Sequence, residues 1–241
     1  AHWRHAVALR VPARPGRLRT VGVIGGLGPG STVDFFAKVV ERTGAATDQE
    51  HLHLIIDNNP HFPDRNLAIA GNGPSPGPEL AAAASRLEAG GADFVVMVCN
   101  TAHHWQSEIE AALTVPFLSI VDLTAAATVG ERIGVIATSG CIEAGLYQRA
   151  LSPREVLIGD VPRFMELLYR IKTGDLGPEI RAGMRQLAME LVDQGAEALV
   201  AGCTEIPLVL AAGDLPIPMI SSTDVLVDAT IAYGKGTSDR S

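Results

Sequence analysis

Apolar residues recur in short blocks separated by longer amphipathic stretches. In the first half the blocks are Val21–Ile24, Leu54–Ile56, Phe94–Val98 and Phe117–Ile120; in the second they are Ile133–Ile136, Glu155–Ile158, Ala198–Ala201 and Ile217–Ile220. Each is the length of a strand and shows little apolar–polar alternation, as expected of parallel strands covered on both faces. The intervening patterns predict helices over Ser31–Arg42, Glu79–Ala89 and Ala102–Ala112, then Ala144–Leu151, Arg163–Lys172 and Gly177–Gln194. Strand alternating with helix predicts an α/β fold built on parallel sheets. Gly71–Pro78, reading GNGPSPGP, is a turn-rich connection, and the final GKGTSDRS is a polar tail.

The two halves repeat one another. VGVIGGLGPGSTVDFF from Val21 aligns without a gap on IGVIATSGCIEAGLYQ from Ile133. GADFVVMVC, ending at Cys99, matches GAEALVAGC, ending at Cys203, and PFLSIVD from Pro116 matches PMISSTD from Pro218. Three blocks in one order, at offsets of 112, 104 and 102 residues, indicate a duplicated unit and two lobes related by a pseudo-twofold axis. The expected division is 20–121 with 223–241 as the first lobe and 122–222 as the second. In this scheme the helix after each lobe's last strand, Leu123–Val129 or Val225–Tyr233, crosses to close the other lobe. Residues 1–19 form a basic extension.

Matched placement singles out Cys99 and Cys203 among only three cysteines. Ligands of open parallel sheets bind beyond the carboxyl ends of the strands, which is where both thiols fall. A helix starting just after each would favour the thiolate. Two thiols facing one carbon suit removal of a proton from one face and delivery to the other, since inversion needs an acid and a base that exchange roles. A redox dithiol is the competing use, but CxxC spacing is absent. His103 and Glu205, one turn beyond their cysteines, are candidates to poise or orient the thiols. Metal-ligand spacing and a Walker-type phosphate loop are both missing, and Pro29 disfavours reading GGLGPGS as a dinucleotide turn.

Composition narrows the partners. With 47% apolar and 19% charged residues, the 241-residue chain is suited to a packed core. A net charge of −8 disfavours nucleic acid and anionic membrane surfaces, and no apolar run is long enough to span a bilayer. An odd cysteine count fits free thiols in a reducing cytosol, so a cytoplasmic location is expected. The arm 1–19 carries five arginines and no acid; it reads as a ragged extension, with an organelle-targeting remnant as the alternative.

VMVCNTAHH and AGCTEIPL resemble the paired cysteine motifs of the aspartate/glutamate racemase family, in particular its aspartate racemase branch. GVIGGLGP, NNPHFPDR and TSGCIEAGLYQ also resemble family signatures. The resemblance implies racemisation of a small acidic amino acid without a cofactor, between two α/β lobes, in a homodimer. It makes Cys99 and Cys203 the acid/base pair, Arg65 and Lys172 the groups holding substrate carboxylates, and Asn100, Thr101 and Thr204 binding positions beside the thiols. Cys141 stands where family members commonly have threonine, so a weaker hydrogen-bonding thiol is expected at a substrate-binding position. Glutamate or a broader range of amino acids is the near alternative. A hydantoin racemase or maleate isomerase type is more distant, and a two-lobed binding protein without turnover is the alternative of another class.

Overall fold

A computed structural model describes residues 18–237. Most of the basic arm, 1–17, and the end of the polar tail, 238–241, lie outside the described residues. The first lobe contains β1 (Val21–Gly25), α1 (Pro29–Arg42), β2 (Leu54–Asn58), α2 (Arg65–Ile69), α3 (Gly77–Ala89), β3 (Phe94–Met97), α4 (Gln106–Ala111) and β4 (Phe117–Leu118). After α5 (Ile120–Ala127) come β5 (Arg132–Ile136), α6 (Ser139–Glu143), α7 (Leu146–Ala150), β6 (Glu155–Ile158), α8 (Val161–Lys172), α9 (Pro178–Asp193), β7 (Ala198–Ala201), β8 (Met219–Ser221) and α10 (Ser222–Gly234). The strands form two four-stranded, wholly parallel sheets, ordered β2-β1-β3-β4 and β6-β5-β7-β8. The expected α/β architecture of two like lobes is what the chain adopts.

Each repeated block has a physical cause. Gly22 and Gly134 sit in the central strands where a helix crosses closely. A Cβ on Gly22 would lie 3.0 Å from Leu87 Cβ, and one on Gly134 would lie 3.2 Å from Leu191 Cβ. Gly91 and Gly195 turn the chain from helix to strand with φ of 98° and 89°, a conformation that costs a side chain dearly. In the closing blocks Ser119 and Ser221 are N-caps, each side chain accepting from the backbone N–H of Asp122 or Asp224 at 3.2 Å. These caps start α5 and α10 three residues earlier than apolar spacing suggested; β4 ends two residues sooner, whereas β8 starts two residues later and runs to its cap Ser221.

Three other elements differ from expectation. The helix expected over Ala144–Leu151 starts only after Gly145, whose φ is 62°, and is α7; the short α6 before it was not expected. Instead of one helix over Ala102–Ala112, a 3-10 turn at Thr101–Trp105 leads into α4. The short α2 lies in a stretch with no assigned helix and is started by Asp64, which accepts from Leu67 N–H at 3.0 Å.

A buried cluster containing Val23, Phe35, Phe94, Val135, Tyr147 and Leu226 runs between the two sheets, so the lobes share one core. Separate clusters lie beneath α3 and α4 on one outer side and beneath α8 and α9 on the other. α10 packs on α1 and α5, and α5 packs on α7. Arg42 on α1 pairs with Asp224 and Asp228 on α10. No helix among the described residues is long and apolar enough to cross a membrane.

Candidate active site

Cys99 and Cys203 each lie two residues beyond a central strand, β3 and β7, on the wall of one pocket. The same wall carries Arg65, Asn100, Thr101, Lys172, Thr204 and Glu205. Its free volume is about 100 Å³, well above the roughly 10–15 Å³ that admits one water. Both thiols are buried, at 8% and 6% exposure.

The surroundings of the two thiols are unlike. The Cys203 thiol donates to Glu205 Oε2 at 3.0 Å, and Thr204 Oγ1 also donates to that oxygen at 3.2 Å. Lys172 Nζ donates to Glu205 Oε1 at 2.8 Å. Burial, followed by the neighbouring Glu205 carboxylate, pushes Cys203 well above the usual thiol range, so it rests protonated. Burial draws Lys172 down, but the charge and hydrogen bond of Glu205 outweigh it and the ammonium is net stabilised; both thiols act on it in the same direction. The expected lowering of Cys203 by a helix terminus is overturned. Only the three-residue 3-10 turn Ile206–Leu208 follows, and desolvation wins over so short a dipole.

Offset by 104 residues, the counterpart of Glu205 is Thr101, whose hydroxyl meets that of Thr138 at 2.7 Å. Lobe one therefore places an uncharged group where lobe two has a carboxylate. The Gly-rich turn of lobe one makes room for that carboxylate: a Cβ on Gly28 would lie 2.5 Å from Glu205 Oε1.

His103 does not reach the thiol. Ile120 N–H donates to its Nε2 at 3.2 Å, so Nδ1 carries the proton and donates to the Cys99 carbonyl at 2.8 Å. Burial lowers its pKa to about 4, keeping the ring neutral. Its place is beneath the Cys99 backbone. Asn100 lines the pocket, yet its amide is engaged at both ends, accepting from Tyr147 OH at 2.6 Å and donating to Ser222 Oγ at 2.9 Å. Cys141 stands apart from the expected binding set. Its side chain is fully buried in the core that includes Tyr147, off the pocket wall, and burial raises its pKa. Thr138 takes the wall position instead and caps α6 by accepting from Cys141 N–H at 3.2 Å.

Arg65 donates to the carbonyls of Phe62, Pro63 and Leu27 at 3.3, 3.0 and 3.1 Å. Among the described residues no carboxylate pairs with it, so its charge is open to an anion. Asn66, Thr138, Leu168 and Tyr169 also line the pocket but were not singled out in the sequence. Tyr169 was within reach of helical spacing, three residues before Lys172 on α8. Thr138 follows the first strand of lobe two and could have been found from strand-end position alone. Asn66 lies in a helix too short to show a period.

This arrangement, two buried thiols at equivalent strand ends beside an unpaired guanidinium and a carboxylate-bound ammonium, can bind an anion and move protons. The sequence model of a family described as Asp/Glu/Hydantoin racemase matches residues 24–230. The chain belongs to this family. It is accordingly an amino-acid racemase, an isomerase, and the alternative of a binding protein without turnover is set aside. The chain is 30% identical over 228 residues to the broad specificity amino-acid racemase RacX of Bacillus subtilis, covering 88% of this chain and 96% of that protein. A glutamate racemase of Pseudomonas aeruginosa is 35% identical over 130 residues, about half of each chain. Among solved structures, the Picrophilus torridus aspartate racemase superposes with a TM-score of 0.83 at 30% identity, over 90% of this chain and 94% of that one.

Proposed function

We propose that this racemase interconverts L- and D-aspartate by a two-thiol proton transfer that uses no cofactor. The observation that carries this reading is the placement of Cys99 and Cys203 at equivalent strand ends on opposite lobes, lining one pocket with Arg65 and Lys172. One thiolate takes the Cα proton, forming an S–H bond as the C–H bond breaks. The carbanion is then protonated on its other face by the opposite thiol, which becomes the thiolate. Cys203, protonated at rest and hydrogen-bonded to Glu205, is the acid at the start of one direction; Cys99 is the base. In the reverse direction the roles exchange, and the nearby Lys172 ammonium offsets the Cys203 thiolate charge.

Arg65 holds one substrate carboxylate through its planar fork. Lys172 holds the second and stabilises charge developing at Cα in a water-poor cleft. Similarity to the Picrophilus aspartate racemase supports aspartate as the substrate. A broader range is the second reading, favoured by the half-exposed Tyr169 at the pocket rim and by the near full-length likeness to RacX.

The test is incubation with each enantiomer of aspartate, glutamate and several neutral amino acids, without added cofactor, followed by chiral chromatography. Fastest equilibration of aspartate is expected. Equal or faster turnover of neutral amino acids would assign the broader activity, and dependence on added pyridoxal phosphate would refute the mechanism.

A further inference from the structure

Arg65 is fixed from two sides. Its guanidinium is tied to carbonyls of lobe one, while the next residue, Asn66, reaches lobe two: Asn66 Oδ1 accepts from Gly140 N–H at 3.0 Å. A backbone N–H can only donate, so the amide orientation follows from this bond. The approach is close. A Cβ on Gly140 would lie 2.8 Å from Asn66 Oδ1, 3.1 Å from Ile69 Cδ1 and 3.2 Å from Asn66 Cα. Through Asn66 and Ile69, α2 thus rests against the first turn of α6, in reach only because residue 140 has no side chain. Close by, the Thr101–Thr138 hydroxyl pair makes a second link between the lobes on the same pocket wall.

Besides this contact α2 is held by the Asp64 cap and by Ala68 and Ile69, which are only partly buried against the lobe-one cluster. It is five residues long, has no buried residue, and is too short to be stable by itself. We infer that Asn66 is a positioning residue: its hydrogen bond to Gly140 clamps α2 across the cleft and sets the direction in which Arg65 meets a substrate carboxylate. The contact makes lobe two part of the carboxylate site although the guanidinium belongs to lobe one. This consequence rests on the role proposed above for Arg65; the clamp itself does not.

Two substitutions break the same contact from opposite sides. Asn66→Leu keeps the size and removes the acceptor, and Gly140→Ala places a methyl group 2.8 Å from Asn66 Oδ1, too close for the present contact. Hydrogen–deuterium exchange of the ligand-free full chain reads the clamp without reference to activity. The amides of residues 68–72, whose acceptors lie in and around α2, should exchange about fivefold faster in either variant. The double variant should be no worse than the single ones, because both remove one interaction. Unchanged exchange in both variants would overturn the clamp.

Kinetics read the consequence. Asn66→Leu should raise KM for D-aspartate about fivefold with kcat within about twofold, the pattern of lost ground-state binding. In an Arg65→Ala background the same substitution should change nothing further. An equal loss in that background would overturn action through Arg65. If Arg65→Ala itself leaves KM unchanged, the assigned role of Arg65 fails, and the exchange data still judge the clamp.

Discussion

The carboxylate of Glu205 lies between the Cys203 thiol and the Lys172 ammonium, whereas the matching residue of lobe one, Thr101, is uncharged. A symmetric fold thus carries an asymmetric pair of acids. Because Glu205 is among the groups that raise Cys203, Glu205→Gln should move the limb of the kcat/KM–pH profile governed by Cys203 to lower pH. It should also cost on the order of 100-fold in kcat/KM, because the neutral amide removes the carboxylate charge beside the thiol and the ion pair with Lys172. A profile that keeps its shape and position would mean that Glu205 does not act on the thiol. His103 makes a different prediction. Its pKa is lowered from 6.5 to about 4, so the folded state resists a proton that the unfolded chain accepts. The associated stability is present above pH 6.5 and is lost as pH falls toward 4, an effect on the order of 3 kcal/mol. His103→Asn cannot take up that proton. It should lower stability at neutral pH but flatten its decline between pH 6.5 and 4 in urea titrations.

Among the elements, the repeated Ser-x-x-Asp blocks are local devices whose value can be measured. Ser119→Ala and Ser221→Ala should each destabilise by about 1 kcal/mol, because each removes an equivalent cap. Markedly unequal losses would show that α5 and α10 are held by different means. The strands and most long helices were legible because apolar blocks and glycine turns impose themselves locally. The five-residue helices α2 and α6 were not. α2 and α6 depend on the caps Asp64 and Thr138 and on each other across the cleft, and neither dependence leaves a period in the sequence. The site followed the same division. Cys99, Cys203, Arg65 and Lys172 come together as motif and strand-end reasoning expected. Cys141 does not, since its position on α6 turns it into the core shared with Tyr147.

At the scale of the molecule, the cleft is closed on one side by a common core and by the buried bridge Tyr147–Asn100–Ser222. Across the cleft it is spanned by the Asn66–Gly140 and Thr101–Thr138 bonds. Duplication of one α/β unit places a cysteine at the end of a central strand in each lobe, and packing about the common core turns both toward one pocket. The proposed two-thiol transfer uses this arrangement, with a proton-transfer group on each face of the substrate carbon. The central claim is therefore that both thiols are needed for inversion while either alone serves one face. The most direct measurement is Cα–deuterium incorporation into L- and D-aspartate in deuterated water by the wild-type, Cys99→Ala and Cys203→Ala proteins, read by NMR with the enantiomer ratio in parallel. The wild-type protein should label and invert both enantiomers, and each single variant should lose inversion, with any remaining exchange confined to one enantiomer, opposite for the two variants. Full inversion by either variant would contradict the two-thiol account.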